Sequence, residues 1–358
     1  MKKYRVGIIG ATGMVGQRFL TILEKHPWFE VSLLSTSKKN EGKTYFEALN
    51  GRWVMNEEIP NAMKNMIVSN AESISANVSK VDFVFCAINL ERNKTKELEE
   101  KYALAECPVI SNNSAHRNVP DVPMIIPEIN SQHCNIIKHQ RNRLKTKLGF
   151  IATKPNCSIQ SYVPPLDPLR KFGLKKVYVC TYQAVSGAGK TLETWPEMQK
   201  NLIPYIKGEE EKSEKEPLKI WGKIINSEIK NANSPSITAQ CIRVPVLNGH
   251  MAAVFVEFEN TISLEEIKHE WKNFSTKINK NLLPSSPKNF LNYFEENDRP
   301  QNKLDVNLDN GMAISIGRLR SDKPQNYKFV CLSHNTLRGA AGGAVLMAEF
   351  LAKNGYLN

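Results

Sequence analysis

The feature that most constrains the fold is a glycine-spaced turn close to the N-terminus. The apolar run Tyr4–Ile9 predicts a buried strand, and it leads through Gly10, Gly13 and Gly16 into an amphipathic helix predicted over Gln17–His26. Glycines at this spacing permit a tight turn, close approach of backbone N–H groups to a pyrophosphate, and close packing of the helix on the strand. The pattern therefore predicts a dinucleotide-binding unit, and a plain strand-to-helix turn is the alternative.

Apolar runs recur through the first 150 residues and alternate with helical stretches such as Glu91–Glu106. This alternation predicts a doubly wound parallel sheet in an N-terminal Rossmann-like domain. The further strands are predicted at Val31–Leu34, Met66–Ser69, Val81–Ala87 and Pro108–Ser111.

The cofactor is predicted from the residues that follow the second strand. An NAD site usually places an acidic residue there to hold the ribose hydroxyls, whereas this chain has Ser35, Thr36, Ser37, Lys38 and Lys39. Hydroxyls and lysines suit a 2′-phosphate, so the stretch predicts NADP. The alternative is a polar turn with two solvated lysines.

At 358 residues the chain is too long for one small core, and its texture changes after residue 157. Strands are predicted at Lys176–Ala184, Gln240–Pro245 and His250–Glu259, with the last two as neighbours across the turn at 247–249. Fewer helices separate these strands, which predicts an α+β second domain whose sheet could serve as a subunit interface.

Three helical predictions complete the second half. The glycine loop 186–190 is predicted to open a helix, and the charged segment 207–219 is predicted to be a solvated helix. The alanine-rich run Gly339–Leu351 is predicted to be a helix that docks back on the first domain.

The charge balance narrows the class of partner. Lysine and arginine number 48 against 36 acidic residues, and the resulting net charge of +12 attracts anions, either nucleic acid or small phosphorylated or carboxylated substrates. The one dense basic run, Arg141–Lys147, lacks interleaved aromatic residues and is predicted to be a solvated loop. No apolar run approaches the roughly 20 residues that span a bilayer, and no signal peptide is predicted, so we expect a cytoplasmic protein.

The seven cysteines are scattered and contain no Cys-x-x-Cys pair, which predicts reduced thiols rather than disulfides or a zinc ribbon. His133, Cys134 and His139 form the closest approach to a metal cluster, but they lie in a polar, basic stretch. No metal site is predicted.

Cys157 stands out among the cysteines because of its neighbours. It follows Pro155 and Asn156 at the end of an extended run and precedes a helical pattern, so its sulfur is predicted at a helix N-terminus. Backbone N–H groups and the helix dipole favour a thiolate there, which makes cysteine a nucleophile; the alternative is a cysteine that only fills space. Pro164 and Pro165 predict that this helix is kinked or interrupted after its first turn.

Several separated stretches together resemble the aspartate-semialdehyde dehydrogenase family, particularly its archaeal and fungal branch. The most specific are Asn-Cys-Ser at 156–158, Gln-Ala-Val-Ser-Gly-Ala-Gly at 183–189, and Arg-Val-Pro-Val-x-x-Gly-His at 243–250. The resemblance extends in the same order over nearly the whole chain, through Gly10–Phe19, Asn112–Pro127, Lys154–Ser158, Tyr182–Lys190, Gly208–Lys212, Arg243–His250, Asp298–Gln301, Gly311–Arg320 and Asn335–Gly343.

The resemblance implies NADPH-dependent, reversible reduction of aspartyl 4-phosphate to aspartate 4-semialdehyde, a step in the biosynthesis of lysine, methionine and threonine. Cys157 would form a thioester and release phosphate, His250 would be the acid and base, and Gln183 would orient the acyl intermediate. Without the resemblance, His250 at the start of an apolar strand would be read as a core histidine, and Arg243 as a structural ion-pair partner.

The resemblance also assigns binding residues. Arg243 would hold the substrate carboxylate, Glu209 (or its neighbour Glu210) the amino group, and Lys212, Arg117 and Asn156 the phosphate. The residues implied to line the cofactor are Gly10, Thr12, Gly13, Met14, Val15, Ser35, Ser37, Lys38, Ser186, Gly187, Gly189 and Asn335.

Two domains are predicted on this basis, an NADP-binding domain at 1–156 and 335–358 and a catalytic and dimerisation domain at 157–334. A homodimer or homotetramer is expected. Two alternatives remain: a related NADP-dependent acyl reductase, of the malonyl-CoA reductase or N-acetyl-glutamyl-phosphate reductase type, and a cationic nucleic-acid-binding protein on a Rossmann scaffold.

Overall fold

The computed structural model describes residues 3–278 and 283–357. The chain forms two compact units, each with its own sheet. The first comprises Met1–Pro155, Ile224–Lys230 and Ala341–Asn358, and the second comprises Asn156–Lys223 and Asn231–Ala340.

The first unit is built on a six-stranded parallel sheet with the order β3-β2-β1-β4-β5-β6. This is the strand order of a doubly wound dinucleotide-binding fold, in which the chain reverses direction across the sheet after β3. The strands are β1 (Tyr4–Ile9), β2 (Phe29–Thr36), β3 (Ser69–Asn70), β4 (Phe83–Cys86), β5 (Val109–Ser111) and β6 (Ile151–Thr153).

The helices of the first unit pack beside this sheet and are mostly short. They are α1 (Met14–Leu23), α2 (Tyr45–Leu49), α3 (Asn61–Lys64), α4 (Ile74–Val78), α5 (Arg92–Leu104), α6 (Pro127–Asn130), α7 (Ile137–Leu144) and α13 (Ala341–Lys353).

Two local predictions in the first unit are wrong. α1 begins at Met14 rather than Gln17, because Gly13 already serves as its N-cap. The basic run at 141–147 is not a loop: Arg141 and Arg143 lie in the last turn of α7, where positive charge complements the helix dipole. That helix ends in the left-handed residue Lys145.

The C-terminal helix α13 belongs to the first unit, as the alanine-rich pattern predicted. A buried hydrogen bond ties it to the turn before β2: His26 Nε2 lies 2.7 Å from Glu349 Oε1. His26 Nδ1 accepts hydrogen bonds from the backbone N–H groups of Trp28 and Phe29, and its ring stacks on Phe29 at 4.5 Å. The last helix and the first strands thus share one core.

The segment 224–230 also packs with the first unit, and no pattern in the sequence predicts it. It forms a two-stranded ribbon of β8 (Lys223–Ile225) and β9 (Glu228–Lys230). The Ile229 N–H donates to the Pro120 carbonyl at 2.8 Å.

The second unit contains a mixed six-stranded sheet with the order β10-β7-β11-β14-β13-β12. β7 runs parallel to β10 and antiparallel to β11, and β12 runs parallel to β13. The strands are β7 (Leu174–Gln183), β10 (Ser236–Arg243), β11 (His250–Phe258), β12 (Leu291–Phe294), β13 (Ile314–Lys323) and β14 (Asn326–Ser333).

The prediction that β10 and β11 are neighbours is wrong, because β7 lies between them. The six residues that join the two strands carry the chain across the end of β7 instead of forming a hairpin. Pairing β7 with β10 uses residues far apart in sequence, which a local turn signal cannot reveal.

One face of this sheet packs against helices, and the other is left open. The helices of the second unit are α8 (Ile159–Leu166), α9 (Glu209–Ile220), α10 (Leu264–Ile278), α11 (Asn302–Asp305) and α12 (Leu308–Gly311). On the open face Tyr178 and Phe255 are 49% and 48% exposed, and they are cross-strand partners.

Two helical predictions in this unit are corrected. α8 runs without interruption over Ile159–Leu166 although Pro164 and Pro165 lie inside it, and it then continues as a 3₁₀ segment. The loop at 186–190 opens no α-helix; it forms one 3₁₀ turn at Val185–Ala188 that ends at the left-handed Gly189. Within the described residues, no helix has the length and apolar character needed to cross a bilayer.

Candidate active site

The register of the second sheet sets three of the predicted site residues side by side. Gln183 ends β7, and its partners on the neighbouring strands are Arg243, the last residue of β10, and His250, the first residue of β11. Partners on adjacent strands share a face of the sheet, so the three side chains converge on the helix-covered side, where all are at least 95% buried.

Cys157 lies in the turn directly before α8, whose N-cap is Ser158. Its Sγ atom is 3.3 Å from His250 Nε2, and its side chain is partly exposed. The other cysteines of β7, β10 and β14 lie within strands, and Cys241 and Cys331 are buried with pKa values raised by burial.

His250 is held as a neutral ring. Burial, followed by the charge of Arg243, lowers the pKa of His250 to about 3. The Ala184 backbone N–H donates to Nδ1 at 3.1 Å, so the ring hydrogen of the neutral form lies on Nε2 and faces the sulfur. In this form the ring donates to Cys157 and stabilises a thiolate.

The Arg243 side chain is held by the backbone just after β7. One Nη atom donates to the Ala184 carbonyl at 2.6 Å, and burial lowers the pKa of the guanidinium while Cys157 and Glu209 raise it. The group stays charged at neutral pH. Gly187 closes the space above it, because a Cβ atom at that position would lie 3.0 Å from Arg243 Nη1 and from His250 Nε2.

The buried carboxylate of Glu209 accepts hydrogen bonds from three polar side chains of the site. Glu209 accepts from Lys212 Nζ at 2.7 Å, from Asn156 Nδ2 at 3.0 Å, and weakly from Gln183 Nε2 at 3.4 Å. Burial raises the pKa of Glu209, but the charge of Lys212 and these hydrogen bonds outweigh it, so that the pKa lies below its usual value. Glu210 does not share this position, since its carboxylate accepts from Gln240 and from the Cys241 N–H of β10.

Asn335 joins the loop at 186–190 to the residue that precedes β11. Its amide nitrogen donates to Ser186 Oγ at 2.7 Å, and its amide oxygen accepts from the Gly249 N–H at 2.7 Å. Gly249 adopts a left-handed φ of +98°, and a Cβ atom there would overlap the side chain of Asn302. Both ends of the Asn335 amide are therefore used in positioning Ser186 and the residue before His250.

A cavity of about 650 Å³ lies in the first unit at the turn between β1 and α1. Gly10 has a left-handed φ of +93°, and its N–H donates to the Ser35 carbonyl at 2.8 Å, which seats the turn on the end of β2. A Cβ atom at Gly16 would lie 2.2 Å from the Gly10 carbonyl, so glycine is required where helix meets strand. The cavity is lined by Gly10, Thr12, Gly13, Thr36, Ser37, Lys39, Asn40, Lys43, Glu47, Ala48, Asn50, Arg52, Ala87, Ile88, Asn89 and Leu90.

The lining fits a dinucleotide. α1 has no side-chain cap and no acidic residue in its first turn, so its N-terminal N–H groups suit a pyrophosphate. Lys39, Lys43 and Arg52 supply positive charge for a further phosphate. These residues fit NADP.

Of the first-unit residues predicted to line the cofactor, four lie outside this lining, and the predicted residues of the second unit (Ser186, Gly187, Gly189 and Asn335) do not belong to it. Lys38 lies outside it while Lys39 and Lys43 lie within it, because the 3₁₀ turn at Lys38–Asn40 turns successive side chains in different directions. Ser35 is fully buried and contributes its carbonyl to the turn, and Met14 and Val15 form the first turn of α1.

Arg117 belongs to the first unit. It is 7% exposed, and an Nη atom donates to the Asn112 carbonyl at 2.9 Å. The fully buried Glu99 supports the same loop by accepting from Ser111 Oγ and from Asn113 Nδ2.

No cluster of three or more histidine, cysteine, aspartate or glutamate side chains is arranged for a metal ion within residues 3–278 and 283–357.

Two family models match the chain. Residues 5–137 match the model of the semialdehyde dehydrogenase NAD binding domain, and residues 166–338 match that of the semialdehyde dehydrogenase dimerisation domain. The chain is 41% identical to the aspartate-semialdehyde dehydrogenase of Archaeoglobus fulgidus over 98% of both chains, and 37% identical to that of Aspergillus fumigatus over 99% of both. The chain belongs to the aspartate-semialdehyde dehydrogenase family. The predicted resemblance to its archaeal and fungal members is confirmed.

Solved structures agree. The aspartate semialdehyde dehydrogenase of Candida albicans, crystallised with NADP, has a TM-score of 0.87 and 33% identity and covers 99% of this chain and 100% of its own. Aspartate semialdehyde dehydrogenase II of Vibrio cholerae, complexed with ASA, has a TM-score of 0.75 and 25% identity over 99% of both chains. This member of the aspartate-semialdehyde dehydrogenase family is therefore an oxidoreductase with a dinucleotide-binding domain, and the predicted fold class is confirmed.

Four polar residues of the two sites were not predicted from the sequence. Lys43 and Arg52 line the cofactor cavity, and Ser213 and Glu216 lie buried on α9. The spacing of Glu209, Ser213 and Glu216 by four and three residues was the available signal, because it places them on one face of a helix. Their charged surroundings concealed it and predicted a solvated helix.

The pH dependence of stability tests the buried state of His250. The folded pKa of about 3 lies below the ordinary 6.5, so the unfolded chain binds the extra proton between these values and stability falls as pH drops from 6.5 towards 3. When the pH falls from 7 to 4.5, the free energy of unfolding of the wild type should drop by roughly 2 to 3 kcal/mol more than that of His250→Asn. Urea unfolding at both pH values measures this, with His269→Asn on the exposed side of α10 as the control. Equal losses in wild type and His250→Asn would contradict a buried neutral ring.

Proposed function

We propose that this chain reduces aspartyl 4-phosphate through a thioester on Cys157. The observation that carries the proposal is the 3.3 Å contact of Cys157 Sγ with His250 Nε2, beside the buried ends of Gln183 and Arg243. The thiolate attacks the acyl carbon, the bond from that carbon to the phosphate oxygen breaks, and phosphate leaves. NADPH, when bound, supplies the hydride that reduces the thioester carbon. The carbon–sulfur bond of the resulting hemithioacetal anion then breaks, giving the aldehyde and restoring the Cys157 thiolate.

His250 acts on both sides of this sequence. Its Nε2–H first stabilises the thiolate and later exchanges a proton with the substrate oxygen as the aldehyde forms. Direct transfer of the thiol proton to Nε2 would require the ring hydrogen on Nδ1, which the Ala184 N–H opposes. Gln183, the cross-strand partner of both Arg243 and His250, orients the acyl group.

Charge complementarity assigns the substrate contacts. Arg243 binds the α-carboxylate, since a guanidinium can make two parallel hydrogen bonds to it. Glu209, held as a carboxylate, binds the α-ammonium group, and Lys212 and Asn156 meet the phosphate. The Lys212 ammonium lies 2.7 Å from Glu209 Oε1, which keeps the buried carboxylate paired.

Glu209 and Arg243 also distinguish this reaction from that of related acyl reductases. An amino-acid substrate needs a carboxylate for its ammonium group and a cation for its carboxylate, and both are buried around Cys157. A malonyl-CoA or N-acetyl-glutamyl-phosphate substrate carries no free ammonium group for Glu209 to bind.

The cofactor cavity lies in the first unit. Gly10, Thr12, Gly13 and the first turn of α1, including Met14 and Val15, hold the pyrophosphate. Ser37, Lys39 and Lys43 hold the 2′-phosphate, and Arg52 adds positive charge to the same cavity. In the second unit, Asn335 positions the loop that contains Ser186, Gly187 and Gly189, and Gly187 lies against Arg243 and His250.

A second copy of this chain covers the open face of the second sheet. Exposed aromatic residues on adjacent strands form an apolar patch of the kind that marks an interface, and Tyr182 and Met251 extend it as a further cross-strand pair. The pair of Lys176 with Glu257 at 3.1 Å borders the patch. A patch on the centre of one sheet suits a two-fold dimer, and the match to a dimerisation domain over 166–338 supports this assignment.

The reaction takes place in the cytoplasm. All seven cysteines lie within the described residues and are thiols, as a reducing compartment requires. A thiol nucleophile also needs that compartment to stay reduced.

Replacement of the nucleophile is the first test. Cys157→Ser should lower phosphate-dependent formation of NADPH from aspartate semialdehyde by about a thousandfold or more, because a serine hydroxyl at neutral pH is a far weaker nucleophile than a thiolate. Cys180→Ser, on the open face of β7, should keep wild-type activity. Full activity in the Cys157→Ser enzyme would remove the thioester from the mechanism.

The cofactor preference tests the lysines of the cavity. A Lys39→Ala, Lys43→Ala double variant should raise KM for NADP by about tenfold or more while leaving KM for NAD nearly unchanged, because only the 2′-phosphate loses its partners. Steady-state kinetics with both cofactors measure this. Lys38→Ala, in the same 3₁₀ turn but outside the cavity lining, is the matched control, and an equal effect in it would show that general surface charge sets the preference.

The dimer face is tested by charge insertion. A Tyr178→Asp, Phe255→Asp double variant should elute as a monomer, since two buried carboxylates per subunit would face each other across the interface. Light scattering coupled to size exclusion gives the mass, and circular dichroism checks folding. Leu304→Asp, at a 55% exposed leucine away from this sheet face, should leave the mass unchanged. A dimeric double variant would place the interface elsewhere.

A further inference from the structure

The inward face of α9 is polar along three successive turns. Glu209, Ser213 and Glu216 are 8%, 0% and 4% exposed, whereas Glu211 and Lys215 on the other side are exposed. A buried carboxylate costs several kcal/mol in desolvation unless its contacts repay it, so a second glutamate on this face indicates a specific partner.

That partner is the segment around the nucleophile. Glu216 Oε2 accepts from the backbone N–H of Asn156 at 2.6 Å, and Glu209 holds the side chain of the same residue. Asn156 Oδ1 in turn accepts from the N–H and the hydroxyl of Ser158 at 2.8 and 2.7 Å. The residues on both sides of Cys157 are thus held, and Asn156 is held at its main chain and its side chain by one helix.

Pro217 strengthens the same arrangement. A proline inside a helix has no N–H to donate to the carbonyl four residues earlier, which here is that of Ser213. The Ser213 carbonyl instead accepts from the hydroxyl of the fully buried Tyr162 at 2.8 Å, one turn into α8. The break in the α9 ladder therefore supplies an acceptor that joins α9 to the nucleophile helix.

We propose that Glu216 is a positioning residue for the thioester reaction, which holds the main chain at Asn156 so that the Cys157 sulfur stays against His250. This inference rests on the proposed role of Cys157. The length of the Glu216 side chain matters, because its carboxylate has to reach the Asn156 N–H. That N–H lies just before the nucleophile turn, where the backbone belongs to no strand or helix. A displacement of about 1 Å at a nucleophile can cost about a hundredfold in rate.

The rank order of three substitutions tests this role. Glu216→Gln keeps an oxygen at the same reach and should retain kcat within about threefold, whereas Glu216→Asp keeps the charge but is one methylene too short and should lower kcat about ten- to hundredfold. Glu216→Ala should fall at or below the aspartate variant. KM for NADP should be unchanged in all three, because the cofactor cavity lies in the first unit.

Glu214→Ala is the matched control, since Glu214 lies on the same helix and also accepts a backbone N–H, that of Ala239 in β10, at 3.1 Å. It should keep wild-type kcat. Equal losses in the Glu214 and Glu216 variants, or an aspartate variant more active than the glutamine variant, would overturn the positioning role.

Alkylation of Cys157 by iodoacetamide, followed by peptide mass spectrometry, separates this inference from the proposed mechanism. Glu216→Asp should slow alkylation by at least about threefold, because the sulfur is no longer held at the His250 N–H. An unchanged alkylation rate together with an inactive Cys157→Ser enzyme would overturn the role of Glu216 alone. An active Cys157→Ser enzyme would overturn the mechanism, whatever the alkylation rates.

Discussion

The structure depends on the pairing of β7 with strands on both of its sides. Because Gln183 is the partner of Arg243 on one strand and of His250 on the other, a single register places an amide, a guanidinium and an imidazole in a row at one end of a buried sheet face. Since side chains alternate between faces, a slip of one residue in either pairing would send one of these groups to the open face. The sulfur of Cys157 then needs to approach only one point, and the turn before α8 delivers it there.

The site buries an unusual amount of charge, and each charge is tolerated for a physical reason. Arg243 and Glu209 both lie close to Cys157. Lys212 pairs with Glu209, and Glu216 accepts the main-chain N–H of Asn156. The same surroundings keep His250 neutral, since burial and a nearby guanidinium both disfavour an imidazolium. A neutral ring that donates to sulfur favours the thiolate without placing another cation in the site. The short α8 helix adds only a local contribution to that preference.

Local sequence patterns predict much of the first unit, but they predict less of the second unit. The glycines at 10, 13 and 16 predicted the turn, the strand before it and the helix after it, and Gly10 and Gly16 lie where a Cβ atom would overlap the backbone. The neighbours of β7 escaped prediction, since parallel pairing joins residues about 60 apart in sequence, from Ser236–Lys176 to Arg243–Gln183. Glu216 escaped it as well, because a glutamate among lysines and glutamates has no local sign of burial.

The sequence by itself determined the class of the protein: a dinucleotide turn, a cysteine before a helix, and an ordered set of motifs that identify the family. Those features are short-range, and backbone sterics and residue chemistry specify them without long-range contacts. The tertiary structure decided which polar groups meet. It placed Lys39 and Lys43 rather than Lys38 at the cavity, turned one face of a charged helix inward, and set the Ala184 N–H against His250 Nδ1. Such choices depend on which backbone groups lie across from each other after the sheet has formed, and therefore on packing rather than on pattern.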